Sequence, residues 1–274
     1  MSSKAKTVVF ESVGEFLADA CQGNHPDSHK EGDKSFSGTN TFAEAVALAE
    51  KGWPKGRERL EALRADLEST VRKAVEAKAA TQHYDVVGDY IDVGRVLEGE
   101  PECCGTYLDA EEGHAKSKVV KLVANVSALG HVNQRQIFSL GAAIYAAIDL
   151  IESLGTRVEL WLGSGSHRRH GDGKRLNVLV KIKDAAQPFE GDRLAFYLCN
   201  AASLRRLFFS VECQRGFAPS NTGTTHLDVE DDTVVTAEAR PDDDTQARRI
   251  ARVLETCEAC GVRFSQEELA QITA

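Results

Sequence analysis

The sequence has no surplus of positive charge. Its 33 Lys and Arg stand against 42 Asp and Glu, for a formal net charge of −9. A general nucleic-acid coat needs excess cations to displace the counterions of the phosphates, so the composition argues against that class and leaves room only for a local basic site. A disulfide framework is missing too. The seven cysteines are odd in number and scattered, unlike those of small stapled scaffolds. MSSKAKTVVFESVGEF at the start is too polar to hold the apolar stretch of a signal peptide, and no apolar run approaches the length of a membrane span. These absences predict a protein of a reducing cytoplasm with free thiols. Hydrophobic residues still reach 42%, enough for one large domain or a domain with an appendage.

Signatures of catalysis are lacking as well. No Gly-Lys-Ser/Thr loop and no G-x-G-x-x-G follows a strand. Gly163-Ser164-Gly165-Ser166 follows a strand but opens no helix, so it is not the usual phosphate cradle. The histidines and acids offer no Ser/His/Asp order. Cys257-Glu258-Ala259-Cys260 is a C-x-x-C with no second pair to complete four zinc ligands, unless Cys103-Cys104 reach it across the fold. It also sits at a helix C-terminus, the wrong end to lower a thiol pKa. Core thiols, no metal and no cofactor are the expectation.

The chain is most informative between Lys118 and Leu162. KVVKLVANVSALG begins as a short apolar run suited to a buried strand, Val119–Ala124. Ile137, Leu140, Ala143, Ile144, Ala147, Ile148 and Ile151 then recur at helical spacing, and TRVELWL alternates as a strand does. A strand, a helix and a parallel strand at Arg157–Leu162 predict an α/β domain. The link 163–175, GSGSHRRHGDGKR, is too short for a crossover, so Leu176–Ile182 should return antiparallel as a hairpin. Helices are expected at Asp192–Leu198, Ala201–Glu212 and Asp244–Cys260, a strand at Asp232–Ala239, and a last helical turn at Ser265–Ala270. Upstream, Ser12 with Glu15 and Thr41 with Glu44 are capping boxes. Gln22–Asn40 has no period and reads as a loop or mobile segment. A long, one-sided helix is expected over Lys55–Thr81, and short strands and turns over Asp85–Gly113.

The order β–α–β–β–α–α–β–α over about Lys118–Val262, with pieces such as GAAIYAAIDLIESLGTRVELWL, resembles von Willebrand factor A-like domains. That resemblance implies a three-layer, Rossmann-like α/β domain at 118–274, preceded by a helical and irregular region at 1–117. It implies no activity. Such domains often bind a divalent cation through Asp-x-Ser-x-Ser after the first strand. The matching place here reads Asn125-Val126-Ser127-Ala128-Leu129. An amide does not attract a hard cation as a carboxylate does, so Asn125 and Ser127 should hydrogen-bond the loop instead. SFSGTNTFAEAVALAEKGW and GDYIDVGRVLEGEPEC, together with this half, resemble a family of uncharacterised bacteriophage and prophage proteins, which places the cytoplasm in a bacterial host.

The expected role is therefore a non-enzymatic binding or assembly protein of a phage or mobile element, partnered by another protein or by itself. An enzyme is less expected. The alternative is a nucleic-acid-associated factor using residues 167–175, where Arg168, Arg169, Lys174 and Arg175 could fork onto phosphate. The plainer reading of that cluster is a solvated hairpin tip, because aromatic residues for base stacking are missing there.

Overall fold

The computed structural model describes residues 5–65, 83–86, 90–91, 93–97, 99–106, 119–168, 173–187, 190–218, 222–224, 226–229, 232–262 and 264. In chain order these form β1 (Lys6–Phe10), α1 (Val13–Ala20), α2 (Pro26–His29), α3 (Lys34–Ser37), α4 (Phe42–Lys51) and α5 (54–65). Next come β2 (His83–Asp85), β3 (Tyr90–Ile91), α6 (Val93–Leu97), β4 (Cys104–Thr106), β5 (Val119–Asn125), α7 (Gln134–Ser153), β6 (Arg157–Arg168) and β7 (Arg175–Lys183). Last are α8 (Gly191–Cys199), a π-helical stretch (Ser203–Phe208), α9 (Phe209–Gln214), β8 (Thr222–Thr224), β9 (Val234–Val235) and α10 (Gln246–Ala259).

Two compact units result, Met1–Leu67 with Val119–Arg263, and Glu68–Lys118 with Phe264–Ala274. This division differs from the boundary expected at 117/118, and the reason is β1. It pairs parallel with β7, Lys6 opposite Leu176 through Phe10 opposite Val180, so the N-terminal residues complete the main sheet. The smaller unit holds a three-stranded antiparallel sheet in the order β2-β4-β3 and the helical turn α6. The expected turn at Ser265–Ala270 lies outside the described residues.

The main sheet runs β1-β7-β6-β5-β9, with β8 on the far end of β6. β5 is parallel to β6, Val119 opposite Arg157 through Asn125 opposite Gly163, and also parallel to β9. β6 and β7 form the antiparallel hairpin. This is a mixed α/β architecture. Alternation along the strands sends Val120, Leu122, Val158, Leu160, Leu162, Leu176, Val178 and Val180 to one face, all buried. There α7 covers the sheet, and its seven apolar positions read from the sequence are all buried. Cys257 and Cys260 of α10 are buried as well, with the Cys257 thiol directed at the Ala147 carbonyl of α7. α5 also packs on α7, through Arg64 to Asp149 at 2.9 Å and the Tyr145 hydroxyl donating to Glu61 at 3.3 Å. The rest of the expected helix to Thr81 lies outside the described residues.

The opposite face is built differently. Val123, Trp161 and Leu179 form a small cluster closed by Leu227, Val229 and Val235, with Lys121 and Lys181 over the Trp161 ring. A second helical layer, expected of a three-layer domain, is not present among the described residues. Gly163 explains the close cover: a Cβ there would meet Leu227 at 2.5 Å and Val123 at 2.7 Å.

Three sequence expectations are corrected. β6 does not stop at Leu162 but continues through Gly163–Arg168, because Ser164 and Ser166 take inward, buried positions and β8 supplies a second pairing partner. Of the link expected at 163–175, residues 163–168 and Arg175 lie in strands. Gln22–Asn40 carries α2 and α3 rather than a bare loop. Finally, α7 is long and apolar enough to cross a membrane by length and composition, although no such run was expected; 78% of its apolar window is buried in this fold, and it serves as the core helix.

α7 and α8 come close at Gly141, where a Cβ would meet the Leu198 carbonyl oxygen. Gly141→Ala gains about 1 kcal/mol of helix propensity but must push α8 away. We expect a net loss of about 2 kcal/mol or more, in keeping with the cost of overpacking, read as a lowered urea midpoint; a stabilised variant would show that the two helices separate freely.

Candidate functional site

The site is built on two adjacent arginines. Arg205 and Arg206 sit in the π-helical stretch with 1% and 0% exposure. Arg206 donates to five main-chain carbonyls, those of Ser28, Lys30, Gly32, Thr39 and Asn40. It thereby fixes the residues that carry α2 and α3. Arg205 donates to the carbonyls of Phe36 at 2.8 Å, of Val132 and of Leu129, and lies 3.9 Å over the Phe36 ring. Burial lowers the Arg205 pKa to about 10, with Asp33 opposing, so it remains a cation at neutral pH.

Between these clamped segments and the sheet lies a cavity of about 410 Å³. It opens beyond the carboxyl end of β5, where open α/β sheets bind ligands. Its wall brings together Ser127, Ser166, Arg205 and Glu212 with Asp27 and Asp33 of the clamped segment. Glu212 of α9 is 2% exposed and accepts a hydrogen bond from Ser164 Oγ at 2.6 Å. Burial pushes its carboxyl up to about 7, against hydrogen bonds from Ser164 and Ser166 that hold it down. Hydroxyls, a fixed cation and a carboxyl that titrates near neutrality can recognise a polar group by donating and accepting at once. A cavity of this size suits a small molecule or one side chain.

Of the residues singled out in the sequence, Ser127 lines this cavity. Its Oγ accepts the Gly165 N–H at 3.0 Å, while its own N–H goes to Asn125 Oδ1 at 3.0 Å. The Asn125 N–H goes to Thr236 Oγ1. Both side chains thus tie strand ends together. Arg168 lies away from the cavity lining: its Nε donates to the Gly216 carbonyl at 3.1 Å and its guanidinium is 5.0 Å from the Phe217 ring. Its N–H donates to the Lys174 carbonyl, and Arg175 pairs with His167. Arg169 lies outside the described residues. None of the seven cysteines forms a disulfide.

A family model described as Domain of unknown function (DUF7192) matches residues 3–262. The chain belongs to that family. The match spans β1 through α10, so the strand added by the N-terminus and both arginines lie inside the family's domain. No curated protein and no solved structure matches the chain.

Sequence reasoning missed Arg205, Arg206 and Glu212. The signal was present in SLRRLFFSVE, where two arginines interrupt an otherwise apolar helix.

Glu212 has a measurable consequence for stability. Its pKa is raised on folding, so the folded state holds the proton longer than the unfolded chain. Stability is fully present below pH 4.5 and is lost as pH rises to about 7. The loss should be on the order of 3 kcal/mol. Glu212→Gln should flatten that part of the profile and match the wild type at acid pH; urea midpoints from pH 4.5 to 8 check this, and an unchanged slope in the variant assigns it to other groups.

Proposed function

We propose that this chain is a non-enzymatic binding or assembly protein of a bacteriophage or prophage, acting in the cytoplasm of a bacterial host through the cavity beyond β5. The cavity carries the reading: it is preformed, mostly apolar with a few charged and hydroxyl groups in its wall, and sited where ligands of open α/β sheets bind. Its occupant would be a polar side chain of a partner protein. In support, the parallel β5/β6 pair, the antiparallel β7 and the parallel β9 follow the strand pattern of von Willebrand factor A-like domains. The phage setting rests on the likeness of SFSGTNTFAEAVALAEKGW and GDYIDVGRVLEGEPEC to phage and prophage proteins. The wall does bring one hydroxyl against a carboxylate, Ser164 donating to Glu212 at 2.6 Å, but both residues are only 2% exposed, which favours holding a ligand over attacking one.

Gly130 gives a direct test. It lines the cavity, and a Cβ there meets nothing within 4 Å. Gly130→Trp should therefore block the cavity and leave the thermal midpoint unchanged. Pull-downs from phage-infected or induced cells, read for protein and nucleic acid together, should show a protein partner retained by wild type and lost by the variant. An identical partner set sinks the cavity reading. If the retained material is nucleic acid with a steep salt dependence, and it is lost when Arg168, Arg169, Lys174 and Arg175 become Ser, residues 167–175 are the binding site instead.

A further inference from the structure

His25, Asp27 and Cys213 are distant in sequence but meet at the junction of α2 and α9. One donor atom from each lies within 4.8 Å of the others, and all three residues are half-buried. Two constraints hold them there. His25 caps α2, its Nδ1 accepting the Asp27 N–H at 3.2 Å. Arg206 then fastens α2 through the Ser28 and Lys30 carbonyls, and the helix that carries Arg206 continues directly into α9 and Cys213. The two halves of the cluster are thus joined by one buried side chain rather than by a flexible loop.

The donor set is an imidazole nitrogen, a carboxylate oxygen and a sulfur. Hard cations such as Ca²⁺ and Mg²⁺ take all-oxygen shells, whereas mixed N, O and S ligands select zinc-class ions. The electrostatics agree. Burial, then the carboxylates of Asp27 and Glu212, raise the Cys213 thiol, so the charges acting on this sulfur are negative and would welcome a dication. We infer that His25, Asp27 and Cys213 form a binding site for a thiophilic divalent cation of the Zn²⁺ class.

Zinc–ligand bonds of about 2.0–2.3 Å put tetrahedral donors roughly 3.3–3.8 Å apart, so the three side chains close by at most about 1.5 Å on loading. The Cys213 thiol releases its proton to solvent. Ligation through either ring nitrogen of His25 ends the bond from the Asp27 N–H, since an ion on Nε2 leaves the proton on Nδ1. The ion therefore replaces the cap of α2. Three protein ligands leave a coordination position for water or another ligand. Asp27 also lines the cavity, although the inference does not depend on the cavity's use.

The sequence offered no metal site because attention falls on Asn125, Ser127 and the Cys257/Cys260 pair, none of which belongs to this cluster. The test is a titration of the reduced full chain with Co²⁺, followed by competition with Zn²⁺. One equivalent of Co²⁺ should produce a thiolate-to-cobalt charge-transfer band that Zn²⁺ abolishes. Cys213→Ser should remove the band. Asp27→Asn should weaken Co²⁺ binding by at least about tenfold. Cys103→Ser with Cys104→Ser should leave the band intact, as should Gly130→Trp, which separates this site from the cavity. Circular dichroism confirms that each variant is folded. Absence of the band at one equivalent overturns the inference, as does a band that survives Cys213→Ser or an affinity unmoved by Asp27→Asn.

Discussion

Arg206 is the constraint on which the rest of this architecture depends. A buried guanidinium normally has a carboxylate opposite it, but this one is surrounded by main-chain carbonyl oxygens from residues 28–40. Each carbonyl is a partial charge, and five of them solvate the cation much as water would. The arrangement works in both directions. The arginine is desolvated at tolerable cost only because the segment wraps it, and a polar segment without a period is ordered only because the arginine satisfies its carbonyls. Arg205 does the same for Phe36, Leu129 and Val132. Both walls of the cavity and one half of the His25–Asp27–Cys213 cluster hang from this pair.

How much of this the sequence discloses follows from the range of each interaction. Period and spacing are local, and they correctly place β5, α7, the parallel β5/β6 pair and the β6/β7 hairpin. The caps of α1 and α4 are local too, and Ser12 and Thr41 accept the N–H groups of Glu15 and Glu44 as their spacing suggests. The failures are long-range. β1 is a short run whose partner β7 lies far along the chain, so nothing nearby marks it as part of the main sheet. Gly163 looks like a linker glycine because the residue that needs the space, Leu227, is equally remote. The cavity was legible only as a location, beyond the end of β5. Its chemistry comes from Glu212 and Arg205, which reach it from a helix whose arginines resemble surface charge until the segment around them is known.

Glu212 shows how stability and recognition are balanced in such a wall. Hydrogen bonds from Ser164 and Ser166 stabilise its anion, yet burial outweighs them. An apolar residue would pack there without that cost. What the carboxyl adds is a group able to donate or to accept near neutral pH, next to a cation that does not change state. That pairing serves the binding of polar groups and does nothing for the core.

The parallel pairing of β1 with β7 sets an order of events in the making of the protein. β1 leaves the ribosome before the other strands of its sheet but has no strand to join until the hairpin 157–183 exists. The segment 25–40 waits longer still, for Arg206. Closing loops of that length is slow relative to local helix formation, so β5, α7 and β6 can assemble while the N-terminal residues remain unpaired. The earliest-synthesised part of this sheet is thus the last to be locked, and the nascent chain carries β1 as an open edge, vulnerable to mispairing, for most of its synthesis.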